Sequence, residues 1–374
     1  MTTPSANALD KELLKASLSP IGTLLDDPEV TDIMVLGSCQ VYARRQGFGF
    51  DRVEVSWLSD EDLMTAAKTI GRQMARRLDH QEPILDARLP DKSRVNVIVE
   101  PCYSRGACIV IRKFPARHFT WNDLLSLGSI DATGVKILKA IVRLGRNTLI
   151  SGGTGSGKTT LLNCLCSFIR GSDIVVTVED VREISLSNEL WVALETKRPV
   201  HSEDREVTLR ELVRTSLRMN PHWLVVGEVR GAEALDLVRA FNTGHYGAGT
   251  IHANSAYDSL LALESLILQS GLDVPGRAVK EMVARAIHVV VQVGELPDHS
   301  RKVIEIAEVQ GLDYDRSPDL PPYTLQTLYR FEFSRHDSNG KVQGRFVSER
   351  PPSWLSQLRT IPDYALPDFW ATPA

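Results

Sequence analysis

Gly152-Gly153-Thr154-Gly155-Ser156-Gly157-Lys158-Thr159 follows an apolar run, Asn147 to Ser151, and leads into a helical pattern that begins at Lys158. The spacing G-x-x-x-x-G-K-[ST] between a strand and a helix is the arrangement a phosphate cradle needs. Glycines let backbone N–H groups turn inward, and the helix N-terminus adds partial positive charge. Lys158 is expected to reach the β- and γ-phosphates of a nucleoside triphosphate, and the Thr159 hydroxyl to ligate Mg2+. Gly153, Thr154, Gly155, Ser156, Gly157 and Thr160 complete the expected binding positions.

Outward from this loop, strands and helices alternate. A strand is expected over 173–178, and Thr208 with Glu211 forms a capping box ahead of an apolar stripe at Leu209, Leu212, Val213 and Leu217. Asn220-Pro221 ends that helix, and Trp223-Leu224-Val225-Val226 is a continuous apolar strand of the kind covered on both faces. Further strands are expected near 248–252, 288–293 and 302–309. The pattern predicts an α/β domain around a largely parallel sheet. From about residue 311 the chain is richer in Pro and Asp and reads as an appendage.

Three strand ends carry chemistry. Glu228 closes Leu224–Gly227, which delivers a carboxylate to the carboxyl edge of the sheet beside the loop. Glu179 closes a second apolar strand. His252, in Gly249-Thr250-Ile251-His252, closes a third. Glu228 and Glu179 are candidates for polarising water or holding the metal shell, and His252 for donating to the γ-phosphate.

The first third of the chain reads differently. Short strands at 32–36 and 41–44 flank Gly37-Ser38, and Ser59 with Asp62 opens a helix with Leu63, Ala66, Ala67, Ile70 and Met74 on one face. Strands follow at 95–99 and 108–113. This predicts a smaller α+β N-terminal domain over 19–114, after a tail at 1–18. A linker is expected at 115–122, and the phosphate-loop domain over 123–374.

Bulk properties bound the rest. The chain has 374 residues, is 43% hydrophobic and carries a formal net charge of −4, which disfavours a nucleic-acid coat. Its five cysteines, Cys39, Cys102, Cys108, Cys164 and Cys166, show no C-x2-C pair, and read as structural thiols of a reducing compartment. The opening residues hold no apolar leader core, and no run approaches the roughly 18 apolar residues of a membrane helix. A cytoplasmic chain with no direct membrane insertion is expected.

Four stretches together, GGTGSGKTT, VEDVREISL, LVVGEVRGAEAL and GTIHANS, resemble the Walker A loop, Asp box, Walker B and His box of the secretion ATPase superfamily of type II secretion, type IV pili and type IV secretion. Outside them, the opening at Ile21–Val35, Asp86-Ala87-Arg88-Leu89-Pro90-Asp91, Ser93-Arg94-Val95-Asn96 and Ile111-Arg112-Lys113-Phe114 look like the Tad/Flp pilus assembly branch. So do Ile304–Val309, Tyr329-Arg330-Phe331 and Pro352-Ser353-Trp354-Leu355. The long N-terminal extension common in that branch is missing, and the stretch from His245 to His252 is one residue short. The tetracysteine module frequent in type II secretion is also absent.

The resemblance implies a RecA-like P-loop domain joined to the N-terminal domain by a hinge. It implies a homohexameric ring, ATP and Mg2+ as ligands, and docking on inner-membrane platform proteins. It further implies that Arg94 and Arg112, with Arg88, reach the phosphates from the N-terminal domain; Arg198 and Arg210 are candidates for acting in trans. The expected function is a motor ATPase for a Tad or type IV-like pilus, with a conjugation-type type IV secretion ATPase as the alternative. A nucleic-acid-translocating motor and a non-hydrolysing nucleotide-binding ring are the remaining rivals; no nucleic acid is expected as partner.

Overall fold

A computed structural model describes residues 13–45, 48–114, 117–197, 199, 204–271, 274–320, 322–361 and 370. The chain divides into two compact units, one built from residues 1–117 with 200–202 and the other from 118–199 with 203–374.

The first unit is a six-stranded antiparallel sheet in the order β3-β2-β1-β6-β5-β4. Its strands are β1 (Val30–Leu36), β2 (Val41–Arg45), β3 (Phe50–Val53), β4 (Ile84–Arg88), β5 (Arg94–Val99) and β6 (Ala107–Arg112). Along β5, buried Val95, Val97 and Val99 alternate with half-buried Arg94, Asn96 and Ile98, so one face is core. Helix Asp60–Gln73 covers that face with Leu63, Ala66, Ala67 and Ile70. Ser59 caps the helix by accepting from the Asp62 N–H, and its hydroxyl donates a hydrogen bond to the Asp62 carboxylate. Leu14 and Leu18, expected in a tail, are buried in the same core.

The β4–β5 hairpin turns through Lys92 at φ 72, with Asp91 accepting from the Ser93 backbone and hydroxyl. Lys113 of the Ile-Arg-Lys-Phe stretch donates to the Leu24 carbonyl at 3.2 Å, closing the short helix Gly22–Asp26.

The second unit holds a nine-stranded sheet in the order β15-β14-β13-β12-β7-β11-β10-β8-β9. The strands are β7 (Thr148–Gly152), β8 (Val175–Glu179), β9 (Trp191–Glu195), β10 (Trp223–Val226) and β11 (Tyr246–Ile251). Then come β12 (Val289–Glu295), β13 (Arg301–Leu312), β14 (Tyr323–His336) and β15 (Val342–Ser348). From β9 to β12 every pairing is parallel; β12 to β15 pair antiparallel. The segment beyond residue 311 thus extends the same sheet. Ser353 then bonds Glu308, and Trp354, Leu358 and Trp370 are buried in the core.

The apolar run at 223–226 has the expected cause. Trp223 and Val225 face one core with helices Ala132–Arg143 and Lys158–Cys166. Leu224 and Val226 face the other, built by helices Leu209–Ser216, Glu233–Asn242, Ala256–Gln269 and Gly276–Ala286. The Thr208–Glu211 capping box forms in both directions, and Asn220 leaves the helix end at φ 48.

Buried Asn147 ties three strand starts together. Its side chain donates to the Ala286 carbonyl at 2.9 Å and accepts from the Gly247 N–H at 3.0 Å. Its backbone N–H donates to His288 Nδ1 at 2.9 Å, a bond that needs a neutral ring. Burial pulls the His288 pKa down to about 4, with Arg146 adding to the effect.

Within the segment expected as a linker, residues 115 and 116 lie outside the described residues, and Thr120 caps helix Trp121–Ser126. All five cysteines are free thiols; Cys164 and Cys166 are buried in helix Lys158–Cys166.

Candidate nucleotide site

The loop 152–157 leaves β7 and feeds helix Lys158–Cys166. Its glycines have particular reasons. A Cβ on Gly152 would stand 2.4 Å from the Val293 carbonyl oxygen, and Gly157 caps the helix at φ 95. Ser156 is buried and donates its hydroxyl to the Gly153 carbonyl at 2.8 Å, while Gly153, Thr154 and Gly155 form an exposed crest. Thr159 and Thr160 are half-buried in the first helical turn.

Lys158 is only 7% exposed. Its ammonium donates to the Gly152 and Gly153 carbonyls at 3.0 and 2.7 Å and lies 3.3 Å from His252 Nδ1. Burial pulls its pKa down, and the Glu228 charge opposes that. On the far side of the imidazole, Nε2 is 2.7 Å from Glu228 Oε1. A lysine ammonium has no acceptor, so Nδ1 must accept and Nε2–H must donate to the carboxylate. The structure therefore brings Lys158, His252 and Glu228 into one chain.

The backbone carrying Glu228 is fixed from both sides. The Gly227 N–H donates to the Val178 carbonyl at 2.9 Å, and the Thr250 hydroxyl donates to the Gly227 carbonyl at 2.6 Å. A Cβ on Gly227 would lie 2.9 Å from Glu179 Cγ, so Glu179 sits against the residue preceding Glu228.

Glu179 is 2% exposed. Its Oε1 accepts from the Glu183 and Ile184 N–H groups at 2.9 and 3.0 Å, and its buried Oε2 has no hydrogen-bond partner. Burial raises its pKa to about 7 against those two bonds. Beside it, Asp180 ion-pairs with Arg230, joining the loops after β8 and β10.

Among the described residues no three His, Cys, Asp or Glu side chains form a metal-holding group. Mg2+ keeps several waters and is held by one or two carboxylates together with substrate phosphates. Thr159, Glu228 and the unpartnered Oε2 of Glu179 supply oxygen donors of the right hardness.

The N-terminal arginines are assembled by register. Arg88 pairs with Arg94, Arg94 with Arg112, Arg112 with Asp32, and Asp32 with Arg44. The row crosses five strands of the first unit on the face opposite its core. Arg112 Nε is 3.1 Å from Asp32 Oδ1. Of the two residues considered for action in trans, Arg210 donates to buried Asp236 at 2.9 Å, which Arg214 also contacts at 3.1 Å. Arg198 lies outside the described residues.

One residue at the loop escaped the sequence reading. Arg301 Nε donates to the Gly155 carbonyl at 2.6 Å, and Arg301 Cδ would be 3.6 Å from a Cβ on Gly157. No spacing motif marks it, because a hairpin places it there.

A phosphate loop at the carboxyl edge of a parallel sheet, with a histidine on its lysine and a carboxylate behind the histidine, defines a RecA-like P-loop domain. Residues 15–326 match the family described as Type II/IV secretion system protein, and the chain belongs to it. A Mycobacterium tuberculosis relative named for conjugal transfer is 32% identical over 306 residues, covering 80% of this chain and 86% of the relative. The type IV secretion system protein PtlH of Bordetella pertussis is 30% identical, covering 71% and 86%. The fold is shared with the Legionella pneumophila ATPase DotB, with a TM-score of 0.54, 19% identity and coverage of 81% of this chain and 80% of that one. Among the described residues no helix is long and apolar enough to cross a membrane.

Proposed function

We propose that the chain hydrolyses ATP to ADP and phosphate as a hexameric motor of a pilus or secretion machine at the inner membrane. The observation that carries the reading is the Lys158–His252–Glu228 chain, which links the phosphate loop to a carboxylate fit to act as base. Water attacks the γ-phosphorus in line and gives its proton to the Glu228 carboxylate. The bond from the γ-phosphorus to the bridging oxygen breaks, and Lys158 with the loop N–H groups stabilises the charge left on ADP. Mg2+, when bound, would supply further charge neutralisation to the phosphates. Glu179 and Thr159 orient the water and metal shell, and Arg94, Arg112 and Arg88 act as phosphate-sensing cations of the N-terminal domain.

Stretches such as Asp86–Asp91 and Ile111–Phe114 support a Tad-type pilus as the machine. The conjugal-transfer and type IV secretion names of the relatives favour a second reading, a conjugation-type secretion ATPase. Phosphate release by the purified protein tests the chemistry. Hydrolysis that disappears in Lys158→Ala is expected, and substantial turnover by that variant would sink the assignment. Light scattering tests the hexamer.

A further inference from the structure

Arg301 opens β13, and its register partner is Glu295 at the end of β12. β12 runs parallel beside β7 with Val293 opposite Gly152, the residue that begins the phosphate loop. The β12–β13 turn therefore leaves the sheet at the level of the loop and overhangs it.

That turn is rigidly built. The Leu296 N–H donates to the Ser300 carbonyl, and the His299 N–H to the Leu296 carbonyl, both at 2.8 Å. Asp298 accepts from the Ser300 N–H at 3.0 Å, from the Ser300 hydroxyl at 2.6 Å and, through its other oxygen, from the Val342 N–H at 2.9 Å. Lys302 is used elsewhere, donating to the Gly128 carbonyl at 2.8 Å. Successive strand residues face opposite sides, so a hairpin that anchors Lys302 on Gly128 aims Arg301 at the loop. There Nε meets the Gly155 carbonyl at 2.6 Å.

We propose that Arg301 binds the nucleotide as a second cation of the phosphate loop, holding the loop crest through Gly155 and setting its charge against the polyphosphate chain. The proposal rests on the reading of loop 152–159 as a nucleotide site. The Gly155 carbonyl lies on an exposed crest that water can serve, so one arginine bond there contributes little to stability. A fixed positive charge at a phosphate cradle has a larger effect on ligand than on fold. It adds to the helix N-terminus and to Lys158, and a guanidinium presents several donors in one plane to phosphate oxygens. Arg301 comes from the same unit as the loop, so its contribution requires no domain movement.

The test is calorimetric titration of the full chain with ADP, comparing the unaltered protein with Arg301→Ala, Arg301→Lys and Arg301→Gln, and with Lys158→Ala as the reference for a lost site. Arg301→Ala is expected to weaken ADP binding about ten-fold, and Arg301→Lys to recover most of it. Arg301→Gln, which keeps a donor but no charge, is expected to stay near the alanine value. Raising the salt concentration should narrow the gap between the unaltered protein and Arg301→Ala. Equal affinity in Arg301→Ala, or full recovery by Arg301→Gln, overturns the proposal while leaving the nucleotide site intact. Absence of ADP binding by the unaltered protein overturns the underlying reading and this one with it.

Discussion

His252 stands between two groups of opposite charge, its Nδ1 3.3 Å from Lys158 Nζ and its Nε2 2.7 Å from a Glu228 oxygen. In the hydrolysis proposed above, an imidazole bonded at both nitrogens would act as a relay: drawing Lys158 toward a phosphate would loosen its hold on Nδ1, and Glu228 would feel the change through Nε2. Glu228→Gln keeps the size and a hydrogen-bond acceptor but loses the base. It is expected to bind ATP with little change and to hydrolyse it about 100-fold or more slowly. Single-turnover phosphate release beside a binding titration reads both. Loss of binding would make Glu228 chiefly a metal-shell residue.

Glu179 gives a pH signature with a definite sign. Its folded-state pKa, raised by burial to about 7, lies above its ordinary value of 4.5. Between those values the folded chain keeps a proton that the unfolded chain has lost. The Glu179 contribution to stability is therefore fully present below about pH 4.5 and is lost as pH rises through about 7. Glu179→Gln has no proton to lose and should gain on the unaltered protein at pH 8, by on the order of 3 kcal/mol, with little gain at pH 4.5. Urea unfolding at the two pH values, without nucleotide, measures it. Parallel pH profiles would show that the carboxylate is already ionised in the fold.

Asn147 joins the starts of β7, β11 and β12 through two buried side-chain bonds. Asn147→Ala strands the Gly247 N–H and the Ala286 carbonyl without either partner. A loss of about 2–3 kcal/mol is expected, read as a lower denaturant midpoint at unchanged slope. A loss under about 0.5 kcal/mol would mean that water replaces the side chain.

Lys92 occupies the left-handed region at φ 72 in the β4–β5 turn, where glycine would carry no Cβ strain. Lys92→Gly relieves that strain but removes a cation placed 5.4 Å from the Phe114 ring centroid. A net gain of about 0.5 kcal/mol is expected in thermal unfolding. A lower melting temperature would show that the aromatic contact matters more than the backbone.

The parts legible in the sequence are those whose chemistry is local. The loop announces itself because Gly152, Gly155 and Gly157 stand where a side chain would clash or be strained, and the apolar runs ending in Glu179, Glu228 and His252 carry their meaning within a few residues. The strands β3, β4, β9, β14 and β15 were not expected. β9 and β15 lie at sheet edges with much of their surface exposed, so neither shows a buried apolar run. Arg301 and the arginine row fail for a related reason. Their placement is a matter of register between distant segments, such as Asp32 opposite Arg112, and register is written in pairings that no single window contains.

The change from parallel to antiparallel pairing at β12 also bears on the order of assembly. β12, β13, β14 and β15 are joined by successive hairpins, so their contacts close short loops and form early at small entropic cost. The parallel strands need long crossovers before any pair can meet. The meander is then a seed, and β12 offers β7 a finished edge on which to register, with Val289 opposite Thr148 and Val293 opposite Gly152. A nascent chain would complete its phosphate loop late, after the sequence beyond residue 300 has emerged. The proposed nucleotide loop would mature only once strands that follow all of its motifs in the sequence had folded.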